Sequence, residues 1–207
     1  NYMSNQTEII KKRYDRIAPY FDQIEGMMEK MMFGDLRTRI WQQVSGENIL
    51  EVGVGTGKNF PYYPANKKLT AIDFSPVMIQ EAEKKRHSMR MNIDLSVMDV
   101  QALDYPDNHF DCVIGTFLFC SVPEPEQGLL ELKRVCKPGG KVILLEHVLS
   151  SNKIIAAIMH LLNPITVRLV GANINRKTVK MVQACGFNSV EVLVESSHLV
   201  KMMSAVK

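Results

Sequence analysis

Residues 48–57, NILEVGVGTG, run from an apolar stretch straight into three glycines, Gly53, Gly55 and Gly57. A strand ending in such a loop leaves backbone bare of Cβ atoms, so a ligand can lie directly against it. The chain beyond this loop keeps an α/β rhythm. Short β-rich runs at 68–73, 93–99, 110–119 and 141–148 alternate with helical stretches at 75–87 and 124–136. Ser75 and Pro76 supply an N-cap and a favoured first helical position, and KPGG at 137–140 reads as a helix stop. Any helix directly after the glycine loop must be brief, because Pro61 and Pro64 intervene. Strands separated by helices pair in parallel with right-handed crossovers, so an α/β sheet is predicted.

The flanks differ from this centre. Residues 5–44 read as helices interrupted at Pro19, 152–170 as an apolar helical segment, and 176–187 as a further helix. Two adjacent strand-like runs near the end, SVEVLVES and HLVKMMSAV, suggest an antiparallel hairpin at a sheet edge. One domain over 1–207 is expected, with a helical cap at 1–45 and a ligand-binding core at 46–150. Lid helices and the final two strands then occupy 151–207.

An apolar fraction of 46% can fill a core of this size, and a formal net charge of +3 is too balanced to argue for nucleic acid. Basic clusters at 11–13, 67–68 and 84–86 are short; they read as solvated faces, with contact to anionic lipid as the other use. Cys112, Cys120, Cys136 and Cys185 sit in apolar settings without CxxC spacing. Reduced core thiols and a cytoplasmic compartment are therefore expected. The longest apolar segment, IIAAIMHLL, is too short to span a bilayer, although peripheral contact with one is compatible with it.

The glycine loop can be tested against known nucleotide signatures. A P-loop needs GxxxxGK[ST], but Gly57-Lys58 is followed by Asn59 and preceded, five positions back, by Val52. A dinucleotide fingerprint needs GxGxxG, and its third glycine would fall at Lys58. What remains is an acid and then GxGxG: Glu51, Gly53, Gly55, Gly57. A second acid, Asp73, closes the second strand and suits ribose hydroxyls. A third, Asp99, closes the next strand and could accept from an adenine amino group. Three acids in order at consecutive strand ends converge on one crevice, and an adenosine without phosphates fits best.

At these residues the chain resembles class I S-adenosylmethionine-dependent methyltransferases. The likeness extends through ILEVGVGTG, LTAIDFSPVMIQEA, VMDVQALDYPDNHFDCVIG and LLELKRVCKPGGKVILLEH. It implies a Rossmann-like fold, a seven-stranded mostly parallel sheet whose last strand is antiparallel, with a helical N-terminal cap. It also implies S-adenosyl-L-methionine as cofactor and S-adenosyl-L-homocysteine as product. By that resemblance Asp73 would meet the ribose, Phe74 and Met78 the adenine face, and Asp99 and Val100 the adenine edge. Thr116 and Phe117 would line the methionine side, and the opening helix would bring Tyr14 and Tyr20 near the sulfonium. GVGTGKNFPYYP, FLFCSVPEPEQGLLELKRV and LLEHV are similar to bacterial phosphatidylethanolamine N-methyltransferases and to alkyl-thiol methyltransferases. YDRIAPYFDQ is shared more loosely with these and with ubiquinone and menaquinone C-methyltransferases. The [DN]-P-P-[YF] motif of enzymes that methylate adenine is absent, which argues against nucleic acid as a partner.

Methyl transfer from a sulfonium is an in-line displacement, so positioning and desolvation dominate. A thiol or protonated amine must also lose a proton, and His147 in LLEHV is the candidate base or substrate orienter, with a purely structural strand-end histidine as the alternative. Glu146 alternates with it, so one of the two should point away from the pocket. Met27, Met28, Met31 and Met32 recur at helical spacing, and with 154–171 they suggest a lid for a small or amphiphilic hydrophobic acceptor. His160, Arg168, Asn173 and Asn175 are polar groups near that lid, and an ethanolamine phosphate could use Arg168. The leading expectation is methylation of a phosphatidylethanolamine-type amine, with alkyl thiols and quinones as alternative acceptors and no metal. A nicotinamide oxidoreductase and a non-catalytic cofactor-binding protein are the rivals outside that class. Oligomeric state leaves no trace in the sequence.

Overall fold

The structure, a computed structural model, describes residues 8–16, 35–196 and 198–207. Residues 8–16 form helix α1. Next come α2 (Leu36–Trp41), β1 (Asn48–Val52), a short 3-10 turn (Phe60–Tyr62), β2 (Lys68–Asp73), α3 (Pro76–Met89) and β3 (Asp94–Val97). The second half comprises β4 (Phe110–Thr116), α4 (Pro125–Val135), β5 (Cys136–His147), α5 (Lys153–Val170), α6 (Thr178–Ala184), β6 (Ser189–Ser196) and β7 (Val200–Val206).

The seven strands form one sheet in the order β3-β2-β1-β4-β5-β7-β6. β1 pairs in parallel with both β2 and β4, while β7 runs antiparallel between β5 and β6. The chain thus leaves β1 toward one edge and returns at β4 toward the other. A crevice opens where the order reverses, at the carboxyl ends of β1 and β4. Strand alternation feeds a hydrophobic cluster on each face. Leu50, Val52, Val113 and Leu144 pack with α4 and α6, whereas Ile49, Ile114, Ile143 and Leu145 pack with α2 and α3. All four cysteines are free and buried.

Local chemistry explains the boundaries. Ser75 caps α3 by accepting from the Met78 N–H at 3.1 Å, with Pro76 in the first turn. β4 stops at Thr116, earlier than its apolar run suggests, because Phe117 takes φ +52° and turns the chain. KPGG does not separate α4 from a later strand; β5 already begins at Cys136, and the motif lies within it. Phe110 pairs with Cys136 and Cys112 with Lys141, so the added residues are absorbed as a bulge. A Cβ on Gly140 would come within 2.8 Å of the Asp111 carbonyl oxygen.

Lys207 is laced into that bulge. Its N–H donates to the Gly140 carbonyl at 3.1 Å, and its carbonyl accepts from Gly139 at 2.9 Å. Its Nζ donates to Asn108 Oδ1 at 2.7 Å and to the Cys136 carbonyl at 2.9 Å. Beside it, Asp111 accepts from Lys137 at 2.6 Å and from the Asn48 N–H at 2.8 Å. The Lys137 hydrogen bond holds the Asp111 carboxyl down at about 2. This end of the sheet is therefore fastened by an ionised carboxylate and by the hydrogen bonds of Lys137 and Lys207.

Candidate active site

At the opposite end, Gly53, Asp73, Asp99, Val100, Leu118 and Ser121 line a cleft. They come from the ends of β1, β2, β3 and β4, as the switch-point geometry requires. Asp73 Oδ2 accepts from the Gly55 N–H and Oδ1 from the Ser75 N–H, each at 2.9 Å. Burial pushes its carboxyl up to about 6, against the pull of those two bonds. The Asp99 carboxylate is steadied by Gln101, whose N–H and side-chain amide donate at 2.9 and 3.0 Å. A carboxylate has about four acceptor positions, so both acids keep capacity for a ligand.

The glycines divide the labour. A Cβ on Gly55, φ +55°, would project into open space, so its backbone is bare as a ligand cradle would be. Gly57, φ +79°, is instead overlain by the Phe60 ring, which a Cβ would approach to 2.5 Å. Leu118 sits similarly close over Gly53. Tyr14 of α1 lies across the cleft. Its hydroxyl shares a 2.5 Å hydrogen bond with Ser121 Oγ, and its ring meets Phe74 edge-on at 5.9 Å. Asp15 beside it accepts from the Ser75 hydroxyl.

A second group of polar side chains flanks the loop on the α2 side. Glu51 is buried, and Asn59 Nδ2 donates to it at 2.5 Å while the Tyr63 hydroxyl donates to its other oxygen. Burial raises Glu51 to about 7 despite these donors and the nearby Arg37 guanidinium. Asn59 also donates to Thr116 Oγ1 at 3.0 Å and accepts from Arg37 at 2.6 Å. Arg37 stands 5.7 Å over the Phe117 ring, which in turn lies 4.6 Å from the His147 imidazole. The carboxyl ends of β1, β4 and β5 thus join in one patch, Glu51–Asn59–Arg37–Thr116, continued by Phe117 and His147.

Glu146 points to the opposite face from His147, as alternation requires. It is fully buried and accepts from the Leu118 N–H at 3.0 Å and the Phe119 N–H at 3.1 Å. Burial raises it to about 7, while Arg176, whose guanidinium donates to the Phe119 carbonyl, pulls it back down. This pair positions the 117–123 loop that forms one cleft wall. The same loop is tied to α5, because Asn173 donates its N–H to the Cys120 carbonyl at 2.7 Å and the Ile174 N–H donates to Asn163 at 2.8 Å.

Of the residues singled out in the sequence, Gly53, Asp73, Phe74, Asp99 and Val100 stand together in the cleft, with Tyr14 across it. Gly55 and Gly57 continue the loop, Met78 is buried in the first turn of α3, and Glu51, Thr116, Phe117 and His147 form the neighbouring patch. Tyr20 and the four methionines at 27, 28, 31 and 32 lie outside the described residues. His160 and Arg168 are exposed on α5, and His160 Nδ1 meets Asn175 at 3.0 Å. Arg37, Asn59, Ser121 and Gln101 went unread. Asn59, a polar residue just after the glycine loop, was the one with a usable signal.

Comparison with known proteins agrees with this geometry. Residues 50–144 match the family model described as a methyltransferase domain. The phosphatidylethanolamine N-methyltransferase of Cereibacter sphaeroides is 40% identical over 124 residues, covering 59% of this chain and 61% of that protein. A demethylmenaquinone methyltransferase of Renibacterium salmoninarum is 33% identical over 150 residues, covering 66% and 61%. The chain thus spans about three-fifths of the length of these relatives. A solved SAM-dependent methyltransferase from Aquifex aeolicus superposes with a TM-score of 0.62 at 20% identity, covering 86% of this chain and 90% of that one. The strand order and the superposition give this chain the fold of S-adenosylmethionine-dependent methyltransferases, and its segment 50–144 is similar to a methyltransferase domain.

Proposed function

We propose that the protein methylates the amine of a phosphatidylethanolamine-like amphiphile at the membrane periphery, with S-adenosylmethionine as donor. The observation that carries the donor half is the cleft itself, where Asp73 and Asp99 face one apolar slot beside the bare backbone of Gly55. Asp73 would take the ribose hydroxyls, Asp99 and Val100 the adenine edge, and Phe74 the ring face. When bound, the cofactor supplies an electrophilic methyl on a sulfonium. Tyr14, held between Phe74 and Ser121, would exclude water from above. His147, against Phe117 at the end of β5, would take the ammonium proton and orient the amine lone pair for in-line attack.

The acceptor half is supported by the 40% identity to the Cereibacter enzyme, whose name states that lipid amine. It is also supported by the tie between the cleft wall and the apolar helix α5 through Asn163 and Asn173. The test is transfer of labelled methyl in mixed detergent micelles containing phosphatidylethanolamine, an alkyl thiol or a demethylquinone. Label recovered in the phospholipid supports the reading. Label found only in the thiol or the quinone replaces the acceptor, and S-adenosylhomocysteine binding without any transfer makes the chain a non-catalytic binder. Binding of NADH with no S-adenosylhomocysteine affinity overturns the donor as well.

A further inference from the structure

Helix α5 is amphipathic the wrong way round for a helix facing water. Ile154, Ile155, Ile158, Leu161, Leu162 and Ile165 all stand exposed on it, with Leu161 76% and Ile154 74% accessible. Their spacing of three and four residues makes one continuous stripe. The more sheltered positions are Ala156, Met159, Asn163, Thr166 and Val167, a largely small or polar set. No described side chain of α5 enters either hydrophobic core cluster. The helix is nonetheless well formed: Asn152 caps it by accepting from Ile154 at 2.9 Å, and Gly171 ends it at φ +79°. Among the described residues no helix is long and apolar enough to cross a membrane, so α5 is not a span.

The segment that carries the stripe is free of acids. Between Glu146 and Glu191 the chain has no Asp or Glu, while Lys153, Arg168, Arg176, Lys177 and Lys180 fall in that interval. Helix α1 adds to it. The Arg13 guanidinium donates to the Val167 carbonyl at 2.5 Å, and Ile10 lies against Gly171. This sets α1 beside the end of α5, with Lys12, Arg16 and the apolar Ile9 exposed, while the acid on this side, Glu8, pairs with Lys11 at 3.8 Å.

We infer that α5, with the basic outer side of α1, is a docking surface for an anionic phospholipid bilayer. The inference rests on the lipid-amine reading above and names the surface that meets the lipid. An apolar stripe edged by cations lies in the plane of an interface, its aliphatic side chains among the acyl chains and its cations at the headgroups. A second copy of the chain suits this surface less well, because apposing two stripes would bring like charges together. Docked this way, α5 lies on the bilayer while Asn163 and Asn173 connect it to the wall of the cleft, so the cleft sits at headgroup level.

Flotation with vesicles tests this without any methyl transfer. The protein should float with phosphatidylcholine mixed with phosphatidylglycerol, and much less with phosphatidylcholine alone or in high salt. Ile158→Asp/Leu161→Asp should lower the partition coefficient by at least about tenfold. Lys12→Glu/Arg16→Glu should remove the anionic preference, at about fivefold per cation lost. Both variants should keep wild-type S-adenosylhomocysteine affinity by calorimetry, which shows that the fold and the cleft are intact. A wild-type protein that stays in the aqueous fraction with every composition overturns the inference. So does a double-aspartate variant that floats like wild type, or one whose only effect is to split a dimer seen by sedimentation. Phospholipid methylation in micelles with no flotation sinks the docking surface alone; flotation with no methylation in micelles sinks the lipid-amine reading alone.

Discussion

The Asp73 carboxylate accepts from Gly55 and Ser75 and faces the cleft, and burial raises it to about 6. Protonation below that value removes acceptor capacity, so affinity for S-adenosylhomocysteine should fall as pH drops from 7 through 6. Asp73→Ala should weaken that affinity by about 100-fold, the effect of losing roughly two charge-assisted hydrogen bonds; calorimetry with unchanged affinity would remove the ribose assignment. His147→Ala should lower turnover by about 100-fold or more while leaving S-adenosylhomocysteine affinity nearly intact, and full turnover would return His147 to a structural role. At this scale legibility depended on where a residue sits along its element. Asp73 ends β2, and Asp99 lies two residues past β3, which stops at Val97 rather than running to 99 as the sequence suggested, so their placement follows from strand boundaries to within two residues. Arg37 could not be told from Arg39 nearby, because choosing between them requires the rotational phase of a six-residue helix. Glu146 was read only as alternating with His147, and its partners, the Leu118 and Phe119 N–H groups, depend on how the 117–123 loop folds.

Among elements, the loop after β1 offers a paired prediction, because two of its glycines take left-handed backbone for different reasons. Gly57→Ala drives a methyl into the Phe60 ring and should cost about 2 kcal/mol in urea denaturation, from strain plus overpacking. Gly55→Ala meets no neighbour, so its stability loss should be about 1 kcal/mol, but its methyl fills cradle space and should weaken S-adenosylhomocysteine binding more than Gly57→Ala does. If the two variants rank the same way in both assays, the division between cradle and packing glycine is wrong. Element boundaries were readable where capping chemistry is local, as at Ser75 and Pro76. They were not readable at KPGG, where a motif with helix-stop residues is drawn into β5 by pairing with Phe110 and by Lys207 from the far end of the chain. That long-range contact has no local signature.

For the molecule as a whole, a mostly parallel sheet with an antiparallel last strand was legible because alternating strands and helices leave few topologies, and the family resemblance selected among them; the order of the strands was not read. The sheet's two ends are electrostatically unlike. Burial raises Glu51 and Glu146 to about 7 and Asp73 to about 6 at the cleft end, while Asp111 at the other end is held at about 2. A carboxyl raised in the folded state stabilises below its unfolded value and loses that contribution as pH rises through its folded value; for a shift to about 7 the change is on the order of 3 kcal/mol per group. The Asp111 contribution has the opposite sign and is lost only below about pH 4. The ligand-free protein should therefore melt highest near pH 5 and progressively lower toward pH 8. Glu146→Gln, which keeps an acceptor for Leu118 and Phe119, should flatten the slope in a calorimetric series; an unchanged slope would mean that Glu146 does not titrate in this range. The laced Lys207 has a practical geometric consequence. β7 runs from Val200, opposite His147, to Val206, opposite Lys141, so the chain leaves the sheet about 20 Å from the cleft. A tether joined at Lys207 to a bead or sensor chip would hold the molecule by its fastened end and turn the cleft and α5 outward, toward whatever flows past.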